Sequence, residues 1–397
     1  TVNVRAPGVL SRLQAKMRSG AISDGMWNPY MSRVLQPGDV RLQDPGLPFF
    51  NKEIHFIVHR HWIRTMRSMD HAKDYSKLHK VPLYIVQASG EVVRSDDAAK
   101  LTPQLRASLL QRVNPDDTSG LPSFLPLYRG MRLLLSSKDC VRLGIVKGCP
   151  CILEAIVFVD DENLPYEHVA GQPHHLRYMP VSLLLRADGA GWSLAKDDLP
   201  KNLPASMDTR GLFQMRPTYG YLRASVENEY VTIRRTTFMA TPADTITVYA
   251  AQGSTFDAVV ADMQRPPHLD LAKHWLACYV MLSRAKSVEG FLVLRPATRN
   301  ELSARPPQYL LDELDRLLRL ETSSFQELVD YINDLPLNIP DDISHIMLDI
   351  VGQWQEAAVA KHRADVSKGE SLRPPHPAVP KQTSAGRAQN VPRATRQ

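Results

Sequence analysis

Two short stretches of the sequence combine residue types that contact phosphate. In Gln252-Gly253-Ser254-Thr255, glycine permits close backbone approach to a phosphate, and the neighbouring amide and hydroxyl groups can donate to its oxygens. Further along, Ser283-Arg284 ends an apolar helical run, where an arginine can point a rigid, permanently charged fork at a polyphosphate. Taken singly, the first stretch also fits a structural turn and the second an ion pair at a helix end.

The usual partner of such residues, a phosphate-gripping loop, is missing from these 397 residues. No glycine is followed by lysine, so the Gly-Lys-Ser/Thr core of a P-loop is not present. The segment Ile156 to Val159 followed by Asp160-Asp161-Glu162 has the form of a magnesium-binding strand. With no P-loop upstream for it to complete, we interpret it as a strand ending in a turn.

Cysteine and histidine usage gives little support for a metal site. Four cysteines argue against a disulfide framework and for a reducing compartment. Cys149-Pro-Cys151 is a lone pair, whereas a zinc site needs about four ligands. On an extended strand His55, His59 and His61 would share a face, but no neighbouring carboxylate or cysteine completes a ligand set. We predict no metal site.

The charge is concentrated near the C-terminal end. The net charge is +6, and the segment from Val351 holds eight Lys or Arg residues against three acidic ones. This segment is rich in Pro, Ser and Ala and lacks apolar periodicity, which predicts a disordered basic tail over 351–397. The tail could add salt-sensitive phosphate contacts or simply be solvated.

Targeting signals and membrane spans are not expected. The apolar runs fall far short of the roughly 18 residues that cross a bilayer. The first residue is Thr1, and no hydrophobic leader follows it. We therefore expect a fragment of a longer, intracellular protein, with the nucleus as the expected location.

The apolar patterns predict an α/β layer interrupted by β structure. A helix near the start should stop at Gly20, and Gly130 should turn the chain into a strand. Two amphipathic helices should follow the final strand. The predicted strands are 54–59, 152–159, short strands around 176–185 and 230–233, 245–250, 258–262 and 291–294, and the predicted helices are 9–17, one beginning at Trp62, 271–282, 310–318 and 325–332.

In the order of these features, the region from Val9 to Glu321 resembles the C-terminal half of a PIF-type (petite integration frequency) DNA helicase, a superfamily-one motor that moves 5′ to 3′ on single strands. The matching segments are Leu13 to Gly20, Ile57 to Arg64, Leu127-Tyr-Arg-Gly-Met-Arg-Leu133, Gln252-Gly253, Ser283-Arg284 and Pro306-Pro-Gln-Tyr-Leu-Leu311.

The resemblance implies a second RecA-like lobe, a parallel sheet with helices on both faces, carrying an inserted small β-barrel-like subdomain and C-terminal helices. The implied segments are 1–50 for the tail end of a first lobe, 51–135 and 241–300 for the second lobe, 136–240 for the insert, 301–350 for the helices and 351–397 for the tail.

The resemblance also implies roles for individual residues. Arg284 of the sixth motif and Arg64 of the fourth, with Arg60 as the alternative, would sense phosphate. Gln252 and Gly253 would contact nucleotide, and Gly253, Ser254, Thr255 and Tyr249 would contact DNA. Family members have His-Lys-Ser or a close variant where this chain has Tyr249-Ala250-Ala251. Tyr249 could stack on a base or fill the core as a strand residue.

In the complete helicase, ATP and Mg²⁺ would bind between two RecA-like lobes, and the partners would be single-stranded DNA and the missing first lobe. We expect this chain alone to bind nucleotide poorly and to hydrolyse it negligibly. Two alternatives remain: a non-catalytic nucleic-acid-binding or scaffold protein derived from a degenerate helicase lobe, and an unrelated hydrolase. For the latter, no Gly-x-Ser-x-Gly or His-Glu-x-x-His motif occurs.

Overall fold

The computed structural model describes residues 8–42, 54–114, 117–137, 140–164, 168–195, 199, 207–226 and 229–334. The predicted basic tail at 351–397 lies outside these ranges. The chain divides into two compact units, Thr1–Pro306 and Pro307–Gln397. Among the described residues, no helix is both long enough and apolar enough to cross a membrane.

The helices are α1 (Val9–Ser19), α2 (Asp24–Met31), α3 (His61–His79), α4 (Pro103–Gln111), α5 (Val248–Ala251), α6 (Leu271–Leu282), α7 (Arg299–Ser303) and α8 (Gln308–Asp334). The strands are β1 (Ile54–Val58), β2 (Tyr84–Gln87), β3 (Ser89–Val92), β4 (Phe124–Leu127), β5 (Arg132–Leu135), β6 (Pro150–Val157), β7 (His174–His175), β8 (Ser182–Ala187), β9 (Leu212–Met215), β10 (Thr218–Val226), β11 (Glu229–Thr237), β12 (Ala240–Pro242), β13 (Thr245–Thr247), β14 (Ala258–Asp262) and β15 (Phe291–Arg295).

A parallel sheet with strand order β13-β1-β14-β15 forms the α/β part of the first unit. Its register places Ile57 beside Ile246 and Val260 beside Leu292. All five residues of β14 are buried, so both faces of the sheet are covered, as parallel sheets require. The predicted α/β class with a parallel sheet is confirmed.

Local signals explain where several elements begin and end. Gly20 has φ +69° and caps α1, so the predicted helix stop is confirmed. Gly130 has φ +87° in the turn before β5, again as predicted. In α6, the Asp270 side chain accepts hydrogen bonds from the backbone amides of Ala272 and Lys273. This helix leads directly to Arg284.

The described residues from 84 to 243 lie outside the parallel sheet, and we call them the β region. Their strands form three sheets, β12-β5-β6-β8-β9, β10-β11-β3 and β4-β2-β7, with antiparallel pairing except between β2 and β7. These described pairings give separate sheets and no single closed barrel. β structure starts at Tyr84, well before the predicted insert boundary at 136. A core that includes Leu125, Leu133 and Leu153 holds the region together.

Two predicted elements differ from the structure. The strand predicted over 245–250 ends at Thr247, and Val248–Ala251 form the single helical turn α5. The helices predicted over 310–318 and 325–332 are one continuous helix, α8. The polar residues between them are accommodated because the hydroxyl of Thr322 donates to the Leu318 carbonyl at 2.9 Å, one turn back.

Candidate functional site: a cleft between the parallel sheet and the β region

A cavity of about 890 Å³ lies between the sheet part of the first unit and the β region. We call it the cleft. From the sheet part it is lined by His55, His61, Arg64, Ile246, Thr247, Tyr249, Ala250, Gln252, Ser254 and Phe256. From the β region it is lined by Val113, Thr118, Gly120, Leu121, Pro122, Arg132, Leu134, Leu135, Ser136, Lys147, Gly148, Pro150, Thr241 and Ala243.

The cleft is cationic. Arg64, Arg132 and Lys147 line it, and its described lining includes no carboxylate. Arg132 also pairs with Asp188 at 2.5 Å, which offsets part of its charge. The remaining excess of positive charge favours an anionic ligand.

The structure distinguishes between Arg64 and Arg60, the two arginines considered for the fourth motif. Arg64 lies in the second turn of α3 and lines the cleft. Burial lowers the pKa of its guanidinium, and the nearby Asp244 partly opposes that shift. Arg60, just before α3, instead donates to the Pro267 carbonyl at 2.9 Å and is not among the cleft residues. Arg64 is therefore the arginine available to a ligand in the cleft.

The predicted phosphate-contacting loop, residues 252–255, borders the cleft. Gln252 and Ser254 line it, whereas Gly253 and Thr255 are exposed beside it. Gly253 has φ +88°, a left-handed conformation that favours glycine. No atom lies within 4 Å of where a Cβ would sit, so the space at this turn is open.

Tyr249 projects from α5 and lines the cleft with 79% of its surface exposed. The alternative that Tyr249 fills the core as a strand residue is therefore wrong. The helical turn over Val248–Ala251 rotates its ring outward, while Val248 and Ala251 are buried. An exposed ring beside a cationic cleft is available for stacking.

Arg284 fastens the loop to the end of α6. Its Nη1 donates to the carbonyls of Ala251 at 3.1 Å and Ser254 at 2.8 Å, and its Nε donates to that of Val280 at 3.0 Å. Backbone hydrogen bonds join the same two segments: Phe256 N donates to Arg284 O at 2.8 Å, and Lys286 N donates to Phe256 O at 3.1 Å. The fifth and sixth motifs are thus in direct contact, and within this chain the guanidinium faces the loop.

The three histidines do not converge. His55 lies with its ring centre 4.2 Å from that of Phe256, and His61 lines the cleft. His59 packs against His274, with ring centres 5.3 Å apart. Burial lowers the pKa of His59 to about 4, and the neighbouring His274 adds to the effect. In the part of the chain that the structure describes, no group of three His, Cys, Asp or Glu side chains is placed to hold a metal.

Two other sequence features have local roles in the β region. The thiols of Cys149 and Cys151 lie 4.0 Å apart, and Cys151 is buried in the β-region core. The carboxylate of Glu162 accepts hydrogen bonds from the backbone amides of Arg177 at 3.1 Å and Tyr178 at 2.9 Å. This contact fits the interpretation of the acidic segment as a structural turn.

Arg284 is not among the described residues that line the cleft. The Arg284 guanidinium donates to internal carbonyls, and the described residues hold no metal-ligand cluster. Two further residues, Arg132 of β5 and Lys147 just before β6, also line the cleft. Arg132 lies in the matching segment Leu127 to Leu133, but sequence reasoning gave neither residue a role in the site.

No protein-family model matches the sequence, and no curated protein does so. Among solved structures, the chain is similar to the Pif1 helicase from Candida albicans, with a TM-score of 0.48 and 14% identity over 78% of this chain and 57% of that chain. It is also similar to the Bacteroides Pif1 helicase in complex with ADP-AlF3 and ssDNA, with a TM-score of 0.45 and 14% identity over 80% of this chain and 55% of that chain. A Bacteroides Pif1 structure bound to ssDNA is similar with a TM-score of 0.45 and 14% identity over 81% of this chain and 56% of that chain. The chain therefore spans little more than half the length of these helicases.

Proposed function

We propose that this chain is the second motor lobe of a PIF-type DNA helicase and that the cleft binds single-stranded DNA. The observation that carries the proposal is the convergence of Arg64 from the fourth motif with Gln252 and Ser254 from the fifth in one cationic cleft. Arg64 is distant from Gln252 and Ser254 in the sequence, and the fold brings the three residues to one cleft.

The chemistry of the cleft suits a nucleic-acid backbone. Arg64 and Lys147 can neutralise phosphates, and the Ser254 hydroxyl and Gln252 amide can donate to their oxygens. The exposed ring of Tyr249 can stack on a base, a contact worth about 1–3 kcal/mol in single-strand binding proteins. This combination of cations and an aromatic ring suits an unpaired strand.

ATP turnover in this proposal belongs to the complete protein. The 397 residues contain no Gly-Lys pair, so the phosphate-gripping loop would come from a first lobe outside them. ATP and Mg²⁺ would bind between the two lobes and drive 5′ to 3′ movement. The chain alone should hydrolyse ATP negligibly, because phosphate positioning and metal binding are lacking.

A second candidate function is non-catalytic binding of nucleic acid by a degenerate lobe. One observation favours it: the Arg284 guanidinium is engaged by the carbonyls of Ala251 and Ser254. The presence of Tyr249-Ala250-Ala251 in place of the charged family segment points the same way. Both candidates require the cleft to bind DNA, and they differ in whether a first lobe restores turnover.

Fluorescence anisotropy with a labelled oligo(dT) tests the shared part. Arg64→Gln and Lys147→Gln should each weaken binding about tenfold, which corresponds to about 1.4 kcal/mol, and each should lower the dependence of log Kd on log salt by roughly 0.7. Lys273→Gln is the matched control, because Lys273 is exposed on α6 and lies outside the cleft. Equal affinity of all three variants and the unmodified chain would refute DNA binding in the cleft.

ATPase assays with and without single-stranded DNA address turnover. The expected result is no stimulated hydrolysis by the chain alone. Stimulated hydrolysis would show that the chain holds its own phosphate-gripping site, contrary to the proposal. Restored hydrolysis on adding a first lobe in trans would favour the motor over the non-catalytic candidate.

A further inference from the structure

The hairpin formed by β10 and β11 has one face packed on the β region and one face open to solvent. Leu222, Val231 and Ile233 point inward and are buried. The outward positions alternate with them, as strand geometry requires. The outward residues are Tyr219, Tyr221, Arg223, Ser225, Tyr230, Thr232, Arg234 and Thr236, and we call them the tyrosine face.

Three tyrosines on this face are strongly exposed, Tyr219 by 58%, Tyr221 by 54% and Tyr230 by 76%. Tyr219 and Tyr221 contact edge to face with ring centres 5.7 Å apart. Solvated hairpin faces ordinarily present polar side chains, whereas a cluster of exposed rings indicates a binding surface.

The charge on the tyrosine face points to an anionic, aromatic ligand. Its outward positions hold Arg223 and Arg234 and no carboxylate. The Arg234 guanidinium lies 5.7 Å from the centre of the Tyr219 ring and pairs with Glu91 of β3 at 2.5 Å. Arg223 is exposed on the same face as the rings. Rings that stack on bases, with cations beside them for phosphates, are the recognition elements of single-strand binding proteins.

The hairpin that carries the tyrosine face contacts the cleft lining through its backbone. The Ser119 hydroxyl donates to the Tyr221 carbonyl at 2.8 Å, and the next residues, Gly120 and Leu121, line the cleft. Tyr219 and Tyr221 are two residues apart on one strand, so their Cα atoms are separated by roughly 7 Å. This spacing allows one extended strand to contact the two rings in succession.

We propose that the tyrosine face is a second binding surface for single-stranded nucleic acid, on which Tyr219, Tyr221 and Tyr230 stack unpaired bases and Arg223 contacts phosphate. The choice of ligand rests on the proposed function of the cleft, but the residues are separate from those of the cleft. The face lengthens the bound strand beyond what the cleft alone covers.

The test measures affinity against oligo(dT) length by anisotropy, with the chain carrying Tyr219→Leu, Tyr221→Leu and Tyr230→Leu singly and together. For long oligonucleotides each single change should raise Kd at least about fivefold, as expected for loss of a stacked base. For oligonucleotides too short to extend past the cleft, Kd should not change. Tyr221→Phe, which keeps the ring, should bind like the unmodified chain.

Tyr309→Leu is the matched control, because Tyr309 is 61% exposed on α8 and lies on neither surface. Circular dichroism and thermal melting verify that each variant is folded. Unchanged affinity of the triple variant for long strands would overturn the inference while leaving DNA binding in the cleft intact. Loss of binding only in the tyrosine variants, with Arg64→Gln unaffected, would instead overturn the cleft proposal.

The face could also serve a protein contact, and sedimentation velocity separates that outcome. If the chain self-associates and the triple variant does not, while both bind long oligonucleotides equally, the face is an interface between copies and the inference is wrong. A salt-dependent affinity for long strands that the triple variant loses is the result that supports it.

Discussion

Replacing Arg284 by alanine should destabilise the fold and release the loop at residues 252–255. The Nη1 group donates to the Ala251 and Ser254 carbonyls at 3.1 and 2.8 Å. Each hydrogen bond to a charged group contributes about 1.5–3 kcal/mol, and because Arg284 is partly exposed, the two contacts to the loop should together contribute no more than about 3 kcal/mol. We expect Arg284→Ala to cost about 2–3 kcal/mol in the free energy of unfolding.

Arg284→Lys separates charge from geometry. Its single ammonium group cannot reach the Val280 carbonyl and both loop carbonyls at once, so it should recover about half of the loss. Arg210→Ala is the matched control, because Arg210 is exposed and pairs with Asp208 on the same turn. We expect no measurable change for that variant.

Urea unfolding at constant slope measures the stabilities, and hydrogen exchange over residues 249–257 reports on the loop. The amides of Ser254 and Phe256 should exchange faster in Arg284→Ala than in the unmodified chain, because both donate to carbonyls of this region. If the midpoint and the exchange rates of Arg284→Ala match those of Arg210→Ala, the side chain does not hold the loop in solution.

Three further predictions concern stability. The pKa of His59 in the folded chain is about 4, below its ordinary value, so the stability that neutral His59 contributes is complete above about pH 6.5 and is lost as pH falls toward 4. The loss amounts to at most about 3 kcal/mol. Urea unfolding should therefore show a smaller difference in stability between pH 7.5 and pH 5 for His59→Gln than for the unmodified chain. Gly290→Ala should cost at least about 2–3 kcal/mol, because its Cβ would overlap the Asp257 carbonyl oxygen. Gly130→Ala has open space around its Cβ but φ +87°, and should cost about 1–2 kcal/mol. Equal shifts in urea midpoint for the two variants would contradict the steric argument. Thr298→Ala removes the capping box of α7 and should cost about 1 kcal/mol in the same assay, so a loss below about 0.3 kcal/mol would count against it.

The elements that the sequence predicts well are those that tertiary packing does not alter. The apolar runs of β14 and β15 and the helical pattern of α6 appear within a residue or two of their predicted bounds. Each is long or strongly apolar enough for local preference and burial to agree.

The fifth motif shows where this agreement ends. Val248 and Tyr249 favour strands by type, but the chain turns helically after Thr247, and tertiary contacts outweigh that preference. A tyrosine within an apolar run is compatible with either a buried or an exposed position. Only the rotation of α5 settles that the ring of Tyr249 is exposed.

The cleft itself was only half predictable. Gln252 and Ser254 follow from a motif, and Arg64 from the resemblance. Arg132 lies on β5, which pairs antiparallel with β6, and Lys147 lies just before β6; their places in the cleft depend on how these strands pair. The pairing register of these strands produces no periodic pattern that could be recognised in the sequence.

The backbone connection between Phe256 and the Arg284 to Lys286 segment has a mechanical consequence. Phe256 pairs with Ala285 as an isolated parallel bridge, and the side chain of Arg284 holds Ser254 from the other direction. The two segments are therefore joined both through the backbone and through a side chain. A shift of Arg284 acts on Ser254, which lines the cleft, through a direct hydrogen bond.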